Sequence, residues 1–177
     1  MRNTDVFLRK IKMGKLTFLI IHCSATPEGK EYTGAQIKAF HMSPPPKGRG
    51  WDRPGYSDII HLDGSVENLR PYDEDNYVNL YELTYGAGVM NAISRHVCYI
   101  GGMDKPYKDP KDTRTNAQKF ALQKYVMEMI QKHPDILIAG HNQFDPKACP
   151  SFDVPTWLKS ISIADKNIYV KKVISKK

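Results

Sequence analysis

The apolar run at residues 16–21 constrains the fold most, because all of its residues except Thr17 are apolar and favour β structure. A strand without alternating polar residues predicts burial on both faces, which is typical of a central strand in a sheet covered by helices. A second apolar run at 136–139 predicts another buried strand. The first run leads directly into His22, and the second is followed by Gly140 and then His141.

Three helices are predicted between and after these strands. Thr33 and Thr115 are suitable N-caps, and Pro155 suits the first turn of a short helix. The predicted helices cover 34–42, with Ile37 and Phe40 on one face, 116–132, with an apolar side of Phe120, Leu122, Val126, Met127, Met129 and Ile130, and 154–160.

Further strands are predicted at 55–62 and 93–100, and the Asp63-Gly64 pair predicts a hairpin turn with 65–69 returning. Residues 71–92 carry no clear pattern. Strands interspersed with helices predict an α/β fold, a single domain with a central mixed β-sheet flanked by helices.

A length of 177 residues predicts one domain, and the net charge of +7 predicts attraction to polyanions without saying which. Three cysteines at no disulfide-framework spacing favour a reducing compartment during folding or a metal role. We expect a basic, loosely ordered extension at 1–15, the domain at 16–163 and a basic tail at 164–177. The sequence predicts no membrane span and no signal peptide, hence synthesis in the cytoplasm.

Residues 140–150 combine His141 with Cys149 in a loop that Pro146 and Pro150 restrict. If His22 joins these two at one edge of the sheet, the set offers three ligands for a catalytic zinc with one open position. Lys147 is then a candidate cation for a developing oxyanion. A lone histidine at a strand end is more often structural, however, and a nearby His and Cys occur often by chance.

The order of motifs along the chain adds to this pattern. The motifs are 20–26 (Ile-Ile-His-Cys-Ser-Ala-Thr), Gly55-Tyr56, 98–102 (Cys-Tyr-Ile-Gly-Gly), 112–115 (Asp-Thr-Arg-Thr), Gly140-His141 and 146–153 (Pro-Lys-Ala-Cys-Pro-Ser-Phe-Asp). From about Leu16 to Ser160 the chain thus resembles the zinc-dependent N-acetylmuramoyl-L-alanine amidases, in particular the amidase-type phage lysozymes, which share a fold with the peptidoglycan recognition proteins.

The resemblance implies Zn²⁺ on His22, His141 and Cys149, with Tyr56 and Lys147 as catalytic residues. The implied reaction cuts the amide between N-acetylmuramic acid and L-alanine of peptidoglycan or a muropeptide. We also expect a monomer, and the lack of a recognisable signal peptide suits an endolysin that reaches the cell wall by a holin-type route.

Several positions depart from the family pattern. Ser57 follows Gly55-Tyr56 where a histidine is usual, Gly88 follows Gly86-Ala87 where a histidine is usual, and His96 lies in the stretch where the family has Asn-Ser-Ile-Gly. These departures bear on substrate specificity more than on metal binding. His96 and His61 are alternatives that could compensate as site residues, but neither is assigned a role, because most lone histidines are structural.

Three other functions compete with a wall-degrading endolysin. A cytosolic amidase that recycles wall fragments also needs no signal peptide. A non-catalytic module that binds muropeptides could share the fold, although binding alone requires neither Lys147 nor Cys149. A specific nucleic-acid binder is not expected, because the chain lacks aromatic-basic interleaving and its charge lies partly in the two tails.

Overall fold

The computed structural model describes residues 11–171, and a five-stranded mixed sheet forms its centre. The strands are β1 (Lys12–Lys15), β2 (Phe18–Cys23), β3 (Thr26–Pro27), β4 (Asp58–Ile60), β5 (Val66–Asn68), β6 (Tyr77–Asn79), β7 (Ser94–Tyr99), β8 (Gly102–Met103) and β9 (Leu137–Gly140). The central sheet has the order β5-β4-β7-β2-β9. Its last four strands are parallel, and only β5 is antiparallel, to β4 across the predicted Asp63-Gly64 turn. The predicted α/β fold with a mixed sheet is confirmed.

The three predicted helices form as expected: α1 (Gly34–Met42), α2 (Asn116–Lys132) and α3 (Val154–Ser160). Thr33 and Thr115 each form a capping box with the glutamine three residues later, so two amide donors are satisfied reciprocally. Gln118 also ties α2 to the sheet, because its side-chain amide donates to the carbonyls of Ile60 and Ile100.

The two faces of the sheet are covered differently. One face packs against α2 and α3 in the largest apolar cluster, which includes Leu19, Ile21, Leu122 and Leu158. The other face carries two smaller clusters, one with Ile37 of α1 and one with Phe18 and Ile20. His22 continues the Phe18 and Ile20 side of β2, because side chains alternate along a strand.

The edges of the sheet are short or covered. β5 contains only three residues. Beside β9, Ile168 forms a bridge with Ile138, and the amide of Tyr169 donates to the Ile138 carbonyl at 3.0 Å. The Tyr169 ring also packs edge-on against Phe18, 5.3 Å between centroids.

Several local expectations were wrong. Phe120 is 72% exposed and Met127 is 54% exposed, because the buried face of α2 instead runs through Gln118, Leu122, Tyr125, Val126 and Met129. Phe40 of α1 is exposed as well. Outside the central sheet, β1 pairs with β6, and neither strand was predicted.

The expected tails differ from the structure where it describes them. Lys12–Lys15 is a strand rather than a loose extension, and residues 165–169 pack against the sheet. The remaining parts of the two expected tails, 1–10 and 172–177, lie outside the described residues. Between residues 11 and 171, no helix combines the length and apolar character needed to cross a bilayer.

Candidate metal centre

Three candidate donor side chains meet where the parallel strands β2 and β9 end. His22 lies near the end of β2, His141 directly follows β9, and Cys149 comes from the loop beyond. Parallel pairing of Ile21 with Gly140 brings the two histidines side by side, with ring centroids 4.7 Å apart. One ligand atom from each of the three residues lies within 4.8 Å of the others. The predicted grouping of His22, His141 and Cys149 therefore exists in the fold.

The loop that carries Cys149 is fixed by hydrogen bonds. The amide of Asn142 donates to the Cys149 carbonyl at 2.7 Å, and the Tyr99 hydroxyl donates to the Pro150 carbonyl at 2.7 Å. The Cys149 sulfur accepts from the amide of Cys23 at 3.3 Å. These bonds hold the thiol beside the end of β2.

Gly102 makes close packing possible behind the thiols. Its φ of +101° belongs to the region that glycine adopts most easily, and a Cβ there would overlap the Cys23 side chain. Its amide donates to the Thr113 hydroxyl at 2.7 Å. The Gly-Gly motif at 101–102 is therefore a packing requirement of the site.

The motif at 112–115 supports the site from outside the cleft. Asp112 pairs with the Arg114 guanidinium at 2.9 Å, and that guanidinium lies 3.3 Å from the centroid of the Phe152 ring. Phe152 follows the Cys149 loop and packs against the main apolar cluster. The motif thus stabilises the loop and does not line the cleft described below.

The ionisation of the donors suits a metal ion. Burial lowers the pKa of both His22 and His141, so both rings are neutral and each offers a lone pair. A hydrogen bond with the Cys23 side chain, together with burial, raises the pKa of Cys149. A coordinating metal ion reverses that effect, because a bound thiol is deprotonated outright. Two nitrogens and one sulfur match the donor set of a zinc site with three protein ligands.

Both predicted catalytic residues border the donors. The Tyr56 ring lies 5.1 Å from the His22 ring between centroids, and burial raises the pKa of its hydroxyl well above the usual value, which keeps it protonated. Lys147 is largely exposed, and its ammonium lies 3.3 Å from an Asp145 oxygen. The same carboxylate contacts Nε2 of His141 at 3.0 Å.

Two contacts of the site were missed from the sequence. Asp145 stands four residues after His141 and links it to Lys147; this spacing in the 140–150 stretch was the available signal. His96 contacts His22 from the neighbouring strand, Nδ1 to Nε2 at 2.9 Å. Only the strand pairing places His96 there. His61 lies elsewhere, between Glu31 and Glu67.

Two of the three donors, His141 and Cys149, line a cleft of about 650 Å³, whereas the His22 side chain is fully buried beside them. The lining of this cleft includes the candidate site residues His141, Cys149, Tyr56 and Lys147, and it also includes Phe40, His41, Arg49, Trp51 and Tyr85. The rings of His41 and Trp51 stack at 5.2 Å with an interplanar angle of 7°. The Arg49 guanidinium lies 5.4 Å from the Phe40 ring and 5.2 Å from the Trp51 ring. The exposed Phe40 is therefore part of the cleft wall.

The chain is similar in sequence to a known phage protein. The chain is 34% identical over 141 residues to the endolysin of Enterobacteria phage K11, covering 79% of this chain and 83% of that protein. No protein-family model matches the chain.

Solved structures share the fold at lower identity. Bumblebee peptidoglycan recognition protein SA superposes with a TM-score of 0.66 at 19% identity, covering 89% of this chain and 86% of that one. The N-acetylmuramoyl-L-alanine amidase LysC from Clostridium intestinale gives a TM-score of 0.64 at 18% identity, covering 86% and 89%. The chain therefore belongs to the family of phage endolysins that includes the K11 endolysin, and it has the fold of the peptidoglycan recognition proteins and of the LysC amidase.

Proposed function

We propose that this protein is a zinc-dependent N-acetylmuramoyl-L-alanine amidase that degrades peptidoglycan. The observation that carries the proposal is the cluster of His22, His141 and Cys149, of which His141 and Cys149 line a cleft. Three protein ligands leave a coordination position for water or substrate, which is the arrangement of catalytic rather than structural zinc. The sequence similarity to the endolysin of phage K11 supports a cell-wall polymer as the substrate.

The substrate amide joins the lactyl group of N-acetylmuramic acid to L-alanine. When bound, zinc supplies an activated water and a Lewis acid for the scissile carbonyl. Water adds to the carbonyl carbon, the C–N bond breaks, and the nitrogen of L-alanine leaves with a proton. The products are a free lactyl carboxylate and a stem peptide with a new amino terminus.

Two side chains of the cleft contribute to this reaction in our proposal. The Lys147 ammonium stabilises the carbonyl oxygen as negative charge develops on it, which lowers the barrier more than it strengthens substrate binding. The Tyr56 hydroxyl orients the water and donates or relays a proton. Asp145 holds Lys147 beside His141 before substrate arrives.

The proposal includes a place of action. Made in the cytoplasm, the protein reaches its substrate when the membrane is opened by a holin-type route, and it acts there as a monomer. Its +7 charge favours adsorption to acidic wall polymers. A cytosolic recycling role predicts the opposite preference, for soluble muropeptides over intact sacculi.

The test combines metal content with product chemistry. Purified protein should contain one zinc per chain by elemental analysis, and it should release stem peptides with a free L-alanine amino terminus from purified sacculi. Cys149→Ser should lose both properties, because a neutral hydroxyl replaces a thiolate ligand. Cys98→Ser is the matched control for zinc content only, since Cys98 is buried outside the cluster but its side chain contacts Tyr56.

Three results would contradict the proposal. Unchanged zinc content in Cys149→Ser would reject the ligand assignment. New reducing sugar ends without new amino termini would indicate a glycosidase. Binding to sacculi without any cleavage by the zinc-loaded protein would indicate a recognition module instead.

A further inference from the structure

His22 and His96 form a histidine pair inside the sheet. Nε2 of His22 lies 2.9 Å from Nδ1 of His96, and both side chains are fully buried. The parallel pairing of β2 with β7 sets Ile20 opposite His96 and Cys98 opposite His22. The His22 and His96 side chains therefore lie on the same face of the sheet, two residues apart in register. The contact therefore follows from strand register.

The orientation of His22 decides which nitrogen faces the candidate metal position. Its Nδ1 lies 3.7 Å from the Cys149 sulfur, on the side of the donor cluster, while Nε2 points to His96. A neutral imidazole carries one N–H and one lone pair. A lone pair on Nδ1 of His22 therefore requires the proton on Nε2, which then donates to Nδ1 of His96.

The opposite tautomer is incompatible with metal binding. If Nδ1 of His96 donated instead, Nε2 of His22 would be the acceptor and its Nδ1 would carry the proton. That proton would point toward Cys149 and occupy the lone-pair direction that a metal ion needs. The direction of one hydrogen bond thus decides whether His22 is a competent ligand.

The surroundings of His96 show that its ring is closely confined. A Cβ on Gly86 would overlap Nδ1 of His96, so only glycine leaves room for the ring at that position. Its other nitrogen, Nε2, is buried and has no hydrogen-bond partner among residues 11–171. A buried polar atom without a partner is unfavourable, so an apolar side chain would be the simpler choice here if packing were the only role.

We propose that His96 is a positioning residue that accepts a hydrogen bond from Nε2 of His22 and so holds Nδ1 of His22 available for zinc. The inference rests on the zinc assignment proposed above. Metal-ligating histidines usually donate their second N–H to a carboxylate, a backbone carbonyl or water. Here a second imidazole takes that place, at a position where the sequence departs from the family pattern.

Three variants test the role. His96→Leu removes the acceptor and replaces the imidazole with an apolar side chain of similar size. His96→Asn restores an acceptor, because its amide oxygen extends about as far from the backbone as Nδ1 of histidine. His133→Leu is the matched control, since His133 is also buried, also leaves Nε2 without a partner among the described residues, and lies apart from the donor cluster.

Zinc affinity, measured by competition with a chelator, is the first readout. His96→Leu should bind zinc about 10- to 100-fold more weakly, which is the usual effect of losing such a partner. His96→Asn should recover most of that loss, and His133→Leu should match the wild type. A folded His96→Leu variant with affinity within twofold of the wild type would overturn the inference.

The second readout needs no variant, so it decides the matter even if His96→Leu does not fold. In ¹⁵N NMR spectra of the zinc-loaded wild type, His22 should carry its proton on Nε2 and His96 should carry its proton on Nε2. A proton on Nδ1 of His96 would refute the proposed direction of the bond. A wild type that binds no zinc would refute the proposed function and this inference together, whereas zinc binding with the wrong tautomer refutes this inference alone.

Discussion

The ammonium of Lys147 and the carboxylate of Asp145 lie 3.3 Å apart at the mouth of the cleft. Hydrogen bonds from His141 and from Lys147 hold the pKa of Asp145 below its usual value, so the carboxylate is charged at neutral pH. Lys147 is therefore held beside the candidate metal ligands without being buried. This position suits a cation that meets a substrate oxygen late in the reaction.

Replacing Lys147 with alanine should remove activity and leave zinc in place. Loss of one oxyanion partner typically lowers the rate on the order of a hundredfold to a thousandfold. The measurement is cleavage of a soluble muropeptide together with zinc content. Lys159→Ala, an exposed lysine of α3 outside the cleft, should behave like the wild type. Full activity in Lys147→Ala would eliminate the proposed oxyanion role.

Replacing Tyr56 with phenylalanine should separate packing from chemistry. The ring stays against the apolar cluster of α1, while the hydroxyl that orients water or moves a proton is lost. General acid–base contributions of this kind are worth roughly 10²- to 10⁴-fold in rate. Tyr32→Phe is the control, because Tyr32 packs against the same cluster but does not line the cleft. Equal turnover in both variants would make Tyr56 a structural residue.

Replacing Arg49 with alanine should weaken substrate binding rather than turnover. Whereas Arg53 pairs with Asp52 at 2.8 Å, Arg49 has no carboxylate partner in the described part of the chain and stacks between Phe40 and Trp51. A stem peptide carries free carboxylates that this guanidinium can bind. We expect KM to rise about tenfold with kcat nearly unchanged, as for loss of one charge-assisted hydrogen bond.

The Arg49→Lys variant distinguishes charge from geometry. Lysine keeps the charge but loses the planar group that stacks between two rings and binds a carboxylate with two donors. Arg49→Lys should therefore recover only part of the KM loss. A change in kcat with unaltered KM in either variant would show that Arg49 does not act through binding.

His61 predicts a pH-dependent contribution to stability. Partial burial lowers its pKa, but hydrogen bonds to Glu31 and Glu67 outweigh this and raise the pKa above its usual value. Such a group has a higher pKa in the folded protein than in the unfolded chain. Its stabilising contribution is complete at pH values below the unfolded-state pKa of about 6.5, and it is lost as the pH rises through the folded-state pKa.

His61→Gln should therefore lower the unfolding temperature below about pH 6.5 and have little effect at alkaline pH. The free-energy difference should stay within about 1 kcal/mol, because both glutamates are partly exposed. Thermal unfolding of both proteins across this pH range is the measurement. A destabilisation that is independent of pH would mean that His61 acts through packing alone.

The helices were predictable because their boundaries are encoded locally. Thr33 and Thr115 each precede a glutamine at the capping-box position, and Pro155 marks the first turn of α3. By contrast, β1 and β6 depend on each other across more than sixty residues, with Lys12 opposite Asn79. Neither segment has a local pattern that indicates a strand.

The residues of the candidate site divide in the same way, into those with a local sequence signal and those without one. His22 and His141 follow apolar strands, and Cys149 lies in a restricted loop. The motifs around these residues carry the family resemblance. His96 required knowledge of strand register, because only the β2–β7 pairing places it beside His22. The exposed Phe120 and the buried Gln118 show a similar limit: hydrogen bonds to Ile60 and Ile100 select which side of α2 faces the sheet.

The contact of Ile168 and Tyr169 with β9 has a consequence for the association of whole molecules. An uncovered strand edge offers unpaired backbone donors and acceptors to any other chain, and it is a common origin of aggregation. Residues 165–169 cover part of this edge, and the opposite edge strand contains only three residues. A chain shortened to the predicted domain boundary at 163 would lose this cover, together with the contacts of Tyr169 to Gln143 and Phe144 beside His141. The exposed edge would then promote self-association in solution.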